Sequence, residues 1–309
     1  MDMNEQNGRP RILMCPPAFF GIEYEINPWM DRRRSNDHER AIEQWTTLKT
    51  LLESLGATIC CLDPVPGLPD MVFTANAALI FRNQAILARF CHRQRQGEEQ
   101  HFRDWFERHG FELLELPRDC FFEGAGDALF GGGTLFAGYR IRSIVSGHRR
   151  IAERLGCRVL SLELVDPHFY HLDTCFCPLN ERAAVFYPPA FDSYARRALS
   201  ATIEDLIPVS DAEARRFACN AVVLSKTVIT NEGCPALHRE LRSRGFRTCE
   251  TPLSEFLKAG GSAKCLTLRL DGEDAAAWRS DRIASAPSCD ESQQSSTGAD
   301  SNVISTRVC

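Results

Sequence analysis

The 309-residue chain has no basic block. Its densest run, Arg32-Arg33-Arg34, is followed at once by Asp37 and Glu39, and 36 Lys+Arg against 41 Asp+Glu leave a net charge of −5. Phosphate neutralisation needs clustered Lys and Arg, so nucleic acid is not expected as a partner. No stretch reaches the ~18 consecutive apolar residues that a bilayer-spanning helix requires, so no membrane is expected either. Residues 1–11 are polar and lack the apolar segment of a secretory signal, which makes a cytoplasmic location the expectation. No His/Cys cluster has zinc spacing, and Cys175-Phe-Cys177 is not a CxxC pair, so no metal is expected. Fourteen cysteines in 309 residues fall well below the density of a small disulfide scaffold. In apolar runs, as at Cys15, a thiol acts as a small hydrophobe in a reducing compartment.

What is present is an ordinary globular composition, 44% apolar and 25% charged, in a chain long enough for one large domain or two ordinary ones. One pattern recurs: an amphipathic helix, a small residue, then a short apolar strand. The copies LLESLGATICCL, WFERHGFELLEL, IAERLGCRVLSL and LHRELRSRGFRTCE turn at Gly56, Gly110, Gly156 and Gly245, and a weaker fifth, ARRALSATIEDLIPV, turns at Ala201. Glycine suits the left-handed residue that ends a helix. Further β-like runs lie between the copies, at 72–81, 85–90, 128–137, 183–187, 222–224 and 228–230. Each unit therefore reads strand, strand, helix, strand. Five such units cannot bury their apolar faces singly and are expected to pack around a shared axis, strands inside and helices outside. The alternative is an ordinary α/β sandwich with chance spacing. Residues 285–309 are Ser/Gln/Asp-rich and read as a disordered tail, and residues 1–9 as a flexible N-terminus. Residues 10–272 are expected to form a single domain.

Several polar residues sit in unusual settings. Cys265 follows the small-residue approach LKAGGSAKC and precedes LTLRL, where close backbone or ligand approach is possible. It is either a nucleophile or one more buried thiol. His171 and Asp173 in FYHLDTCFCP are two apart, hence on one face if the run is a strand. Side by side and buried, they are costly unless they serve each other or a ligand. Glu123 in FFEGAGDAL lies between aromatics and glycines. Asp70 and Asn76 in PDMVFTAN are an even number apart, and Asn76 in an apolar run needs amide partners. Together they point to a polar pocket inside a β-rich core.

The segments FTAN (73–76), EGAGDAL (123–129), FYHLDT (169–174) and GGSAKCLTLR (260–269) resemble, in chain order, the guanidine-modifying enzymes: arginine deiminase, dimethylarginine dimethylaminohydrolase and the amidinotransferases. MCPP (14–17), INPWM (26–30), RQGEE (95–99), FACN (217–220) and TPLSEFLKAGG (251–261) resemble the bacterial arginine dihydrolases most closely. The resemblance implies an α/β fold, the fivefold pseudo-symmetric ββαβ propeller called a pentein, and a hydrolase acting on C–N bonds of linear amidines. In those relatives an ornithine-processing domain follows, and no counterpart of it is expected here. Carried over by position, Cys265 resembles the nucleophile and His171 the general acid and base. Glu123 and Asp173 resemble the acids that hold the guanidinium or orient His171. Arg95 and Arg142 resemble the arginines that bind the substrate α-carboxylate, Asp70 a further polar contact, and Asn27 a residue near the substrate. Asn76 stands where deiminases and dimethylarginine hydrolases usually have Asp. An amide can pair with a guanidinium N–H or with a ureido oxygen, and so retain a citrulline-like intermediate for a second attack.

The implied reaction is arginine plus two waters to ornithine, carbon dioxide and two ammonia, with no metal or organic cofactor required. The alternatives are one hydrolysis round, as in a deiminase or dimethylarginine dimethylaminohydrolase, then an amidinotransferase, then a catalytically silent propeller. The implied partner is a small guanidino molecule, arginine or a methylated arginine. Assembly into a homo-oligomer is left open.

Overall fold

The computed structural model describes residues 9–272. It contains five three-stranded sheets, all built alike. In the first complete unit, Ala78–Phe81 pairs antiparallel with Gln84–Leu87, the chain runs through helix Glu98–Arg108, and Glu112–Leu114 returns parallel to the second strand. The same order recurs in Ala128–Gly131, Thr134–Tyr139, helix Val145–Leu155 and Arg158–Glu163. It recurs again in Phe176–Pro178, Ala183–Phe186, helix Ser193–Thr202 and Asp205–Pro208. The next copy is Val222–Leu224, Thr227–Asn231, helix Pro235–Ser243 and Arg247–Thr251. The remaining unit takes its first strand, Leu268–Arg269, from the far end of the chain. That strand pairs antiparallel with Arg11–Met14, which pairs parallel with Thr58–Cys61 after helix His38–Ser54. The two chain ends thus share one sheet.

A tight turn can join the antiparallel pair, but the parallel third strand needs a long crossover, which each helix supplies. Burial follows from that order. The hairpin strands are almost wholly buried, as in Ala78–Phe81 and Thr227–Asn231, whereas third strands such as Arg247–Thr251 and Thr58–Cys61 are partly exposed. Helices bury one stripe each: Ala41, Trp45, Leu48 and Leu52 on the first, Phe102, Trp105 and Phe106 on the next. Each large apolar side chain taken from water contributes about 1.5–3 kcal/mol.

Four of the five expected turns are as read: Gly56, Gly110, Gly156 and Gly245 all have positive φ. The fifth is not. Ala201 lies inside helix Ser193–Thr202, which ends at Ile203 in an extended conformation. A residue with a Cβ resists the left-handed turn, so the chain leaves that helix without one.

The β-like run over 72–81 is also corrected. Only Ala78–Phe81 is strand, while Pro69–Val72 and Thr74–Asn76 are 3-10 turns, so Asp70 and Asn76 do not share a strand face. Similarly, His171 is extended but Leu172–Thr174 turns, and after Cys265 the strand is only Leu268–Arg269. The physical reason is common to all three. Before each first strand the chain must curl under the hub, and a tight turn brings polar side chains there that a strand would hold apart. Of the N-terminal segment expected to be flexible only Arg9 is described, and the tail expected over 285–309 lies outside the described residues. No described helix is long and apolar enough to cross a membrane.

Gly156 has φ +59°, and a Cβ there would meet nothing within 4 Å. Gly156→Ala is therefore expected to lose about 1–2 kcal/mol through backbone conformation alone, and Gly156→Asn less. Urea unfolding of both variants checks this, and an alanine variant as stable as the parent would contradict it.

Candidate active site

The turns that precede the first strands converge. Asn76 lies two residues before Ala78 in Thr74–Asn76, and Glu123 immediately precedes Gly124–Asp127. His171 immediately precedes Leu172–Thr174, and Cys265 lies three residues before Leu268. Space at this junction is tight. A Cβ on Gly126 would sit 2.1 Å from Asn76 Nδ2 and 3.3 Å from His171 Nδ1, so only glycine lets the two turns meet. The backbone N–H of Ala75 donates to the carbonyl of Cys265 at 3.1 Å, which ties the Cys265 turn to the Asn76 turn.

At the centre, His171 Nε2 is 2.6 Å from Glu123 Oε2, and Arg142 Nη1 donates to the same oxygen at 3.1 Å. The other carboxylate oxygen accepts from the Cys91 backbone N–H at 3.3 Å. Asn76 Nδ2 is 3.5 Å from both His171 Nδ1 and the Glu123 carbonyl oxygen. Arg95 Nη1 donates to Asn76 Oδ1 at 2.7 Å. That bond sets the amide's orientation: its oxygen meets the guanidinium and its nitrogen turns to the His171–Glu123 pair. On the other side, Cys265 Sγ is 3.5 Å from Asp173 Oδ2 and accepts from Asn220 Nδ2 at 3.1 Å. Asp173 and His171 share one turn, which joins the segment facing the sulfur to the segment holding the imidazole on Glu123.

Arg95 and Arg142 stand in it as well, each on acids of the chain. Arg95 makes two bonds to Glu98, at 2.9 and 2.7 Å, one to the Asp70 carbonyl, and an ion pair with Asp70 Oδ2 at 3.9 Å. Its guanidinium lies over the Phe90 ring. Arg142 also donates to the carbonyl of Ile26 and lies over the Tyr170 ring. Asn27, half-buried on the long segment before the first helix, donates from Nδ2 to the Ala259 carbonyl beside the Gly260 turn. Apart from Asn27, every residue singled out in the sequence is at most 3% exposed.

Comparison with known proteins places the chain in a family. A family model described as N,N dimethylarginine dimethylhydrolase, eukaryotic, matches residues 22–270. The chain belongs to that family. The bifunctional arginine dihydrolase/ornithine cyclodeaminase ArgZ of Synechocystis sp. is 49% identical over 265 residues, which cover 84% of this chain and 37% of ArgZ. The chain thus spans well under half the length of that relative. The N(G),N(G)-dimethylarginine dimethylaminohydrolase of Mycobacterium tuberculosis is 41% identical over 84% of this chain and 85% of its own. Among solved structures, an Asn-to-Ser variant of the N-terminal domain of ArgZ, covalently bound to a reaction intermediate, superposes with a TM-score of 0.82 at 49% identity, covering 84% of this chain and 97% of that domain. The fivefold ββαβ propeller is therefore the fold of this family member, as its repeats suggested.

Burial dominates the electrostatics of the family's hub in this chain. It pushes Glu123 up, but Arg142, His171 and Arg95 together outweigh it and hold the carboxyl ionised, below the usual range. Asp127, which accepts from Ser143 Oγ and the Leu172 N–H, has weaker compensation, and burial leaves it pushed up to about 6. Glu98 reaches about 7 through burial that Arg95 only partly offsets. Burial raises the Cys265 thiol well above its ordinary value and Asp173 adds to this, while the Ser262 backbone and the Asn220 amide oppose.

Glu98, Asp127 and Asn220 were not singled out as site residues, although each lies in a family-like segment: RQGEE, EGAGDAL and FACN. Nothing local distinguishes Glu98 and Asp127 from surface carboxylates; Asn220 carries one signal, the Phe-x-x-Asn-Ala spacing it shares with Asn76.

The Asp127 shift carries a pH signature. A carboxyl whose folded pKa is raised binds its proton more tightly when folded, so its contribution falls as pH rises from the unfolded value toward about 6. The stability of the parent minus that of Asp127→Asn should decline by up to about 3 kcal/mol between pH 3.5 and 7. Urea denaturation at both pH values measures it, and a constant difference would contradict the assignment.

Proposed function

We propose that this chain is an arginine dihydrolase that converts L-arginine to ornithine, carbon dioxide and two ammonia through a covalent intermediate on Cys265. The observation that carries the reading is Asn76, whose amide nitrogen is turned to the His171–Glu123 pair in a chain half identical to ArgZ. The covalent intermediate named for the ArgZ domain supports a nucleophilic route.

Burial and Asp173 keep the Cys265 thiol protonated before substrate arrives. A planar guanidinium entering between Glu123, Asp173 and Cys265 adds a positive charge beside the sulfur, which lowers the thiol's pKa and lets its proton pass to solvent. The thiolate attacks the guanidinium carbon. His171 protonates the departing nitrogen, ammonia leaves, and a thiouronium joins Cys265 to the rest of the substrate. His171, now neutral, takes a proton from water, hydroxide adds to the same carbon, and the C–S bond breaks as the added hydroxyl gives up its proton to solvent, leaving a ureido group and thiolate. In a second round the thiolate attacks the ureido carbon, the remaining terminal nitrogen leaves as ammonia, and water releases a carbamate. That carbamate decays to carbon dioxide and ornithine. Two waters enter and two ammonia leave, so the atoms balance.

Glu123, held ionised by Arg142, fixes the His171 ring through its Nε2. Asp173 faces the sulfur and the incoming cation. Arg142, held by one carboxylate and one carbonyl, is the arginine assigned to the substrate α-carboxylate. Arg95 is committed to Glu98, so we assign it mainly to orienting Asn76, with Asp70 completing its shell. Asn27 beside the Gly260 turn lines the amino-acid end. Residues 10–272 form the catalytic unit in this proposal. A second reading, one hydrolysis round on dimethylarginine, is favoured by the family model and the mycobacterial relative.

Incubation with arginine should yield ornithine and ammonia in a 1:2 ratio, a stoichiometry set by the reaction, and Cys265→Ser should yield neither. Citrulline accumulating without ornithine would select the single-round reading. Asn76→Asp places a second anion beside Glu123 and should cut ornithine output by ~tenfold or more, or leave citrulline as the product. Unchanged ornithine output would refute the role given to Asn76.

A further inference from the structure

Four turns at the hub supply Asn76, Glu123, His171 with Asp173, and Cys265. The turn before Val222–Leu224 supplies a fifth residue, Asn220, which is fully buried. It repeats Asn76 in both sequence and place. Phe73-Thr-Ala-Asn76-Ala and Phe217-Ala-Cys-Asn220-Ala share the spacing Phe-x-x-Asn-Ala, and each Asn lies two residues before its strand.

The Asn220 side chain uses its amide fully. Oδ1 accepts from the backbone N–H groups of Ser262 and Cys265, both at 3.1 Å. Nδ2 donates to the Asp173 carbonyl and to Cys265 Sγ, both at 3.1 Å. Its own carbonyl accepts from the Lys264 N–H at 3.2 Å. One side chain thus clamps the nucleophile turn against the Asp173 turn.

We propose that Asn220 is the positioning residue of the nucleophile: its oxygen fixes the Cys265 backbone, and its N–H stabilises the sulfur anion against the facing Asp173. This rests on Cys265 acting as the nucleophile. A hydrogen bond to an anion is about twice as strong as one to a neutral acceptor. The Nδ2–Sγ bond therefore favours thiolate over thiol, whereas the bonds to Ser262, Cys265 and Asp173 backbone serve geometry alone.

Asn220→Asp separates the two effects. It is isosteric and keeps an oxygen for the two backbone N–H groups, but it faces the sulfur with a second oxygen. The readout is the rate of iodoacetamide alkylation of Cys265, resolved by peptide mass spectrometry, across neutral to alkaline pH and without substrate. Below the thiol pKa this rate follows the thiolate fraction. The expected result is alkylation slower by ~tenfold, a rise of about one pH unit in the thiol midpoint, with kcat lowered far more than KM. Asn220→Ala, which removes the N–H without adding a charge, is titrated alongside, and the thiol midpoint read from the pH dependence separates thiolate fraction from access to the sulfur. The midpoint is expected to rise in both variants; a merely structural asparagine predicts faster alkylation in Asn220→Ala with no rise in midpoint, and an unchanged or lower midpoint there overturns the proposal. If Asn220→Asp does not fold, as judged by loss of a cooperative melt, the Asn220→Ala midpoint alone decides. A parent inert toward arginine, whose Cys265 is still slowed by the substitution, would overturn the dihydrolase reading and support the Asn220–Cys265 coupling.

Discussion

Glu123 is an ionised carboxylate with no surface in contact with water. Burying such a charge alone costs many kcal/mol, so it exists only because cationic and N–H partners are in place before any ligand arrives. The partners are Arg142, His171 and the Cys91 backbone, drawn from three different segments. Removing any one leaves the charge under-compensated, and the hub's geometry follows from that constraint. His171 has one ring nitrogen on Glu123 and the other toward Asn76. Arg142 is spread between Glu123 and the segment carrying Asn27. Arg95 pairs with Glu98 and orients Asn76.

The fivefold repeat makes that crowding possible. Each unit sends one turn to the axis, and a turn can aim a polar side chain inward while the strand after it stays apolar and buried. No single unit could hold a carboxylate, an imidazole and a thiol in one dry space. Five units packed side by side do so with a few residues each. The chain's two ends join in one sheet, so Cys265, near the end of the described residues, is locked to the first strand through Leu268 and Leu13.

Much of this was legible in the chain. The helix–glycine–strand units were visible because left-handed helix ends demand glycine, and they failed only at Ala201, where the chain found an exit with ordinary backbone angles. Cys265, His171, Glu123 and Asn76 stood out as polar residues in apolar or glycine-rich runs. The error lay in placing Asp70 with Asn76, and His171 with Asp173, on strands. Short apolar runs do not reveal whether they extend or curl, because that is decided by what packs beneath them. Asn220 was hidden because its neighbours, Cys219 and Ala221, look like plain core. Its role depends on segments more than forty residues away. The bond from Arg95 to Asn76 was equally invisible, since it joins separate segments; the pairing of Arg95 with Glu98 three residues on is local, but its burial is not.

The central claim is that the buried sulfur at position 265 forms a bond to the substrate's guanidinium carbon. Rapid acid quenching of the protein with arginine, followed by mass spectrometry of the peptide holding Cys265, observes that bond directly. The account predicts an adduct on this cysteine with the mass of arginine less ammonia, growing in before the first ornithine appears. Turnover with an unmodified Cys265 at every quench time, or an adduct on a different side chain, would contradict it.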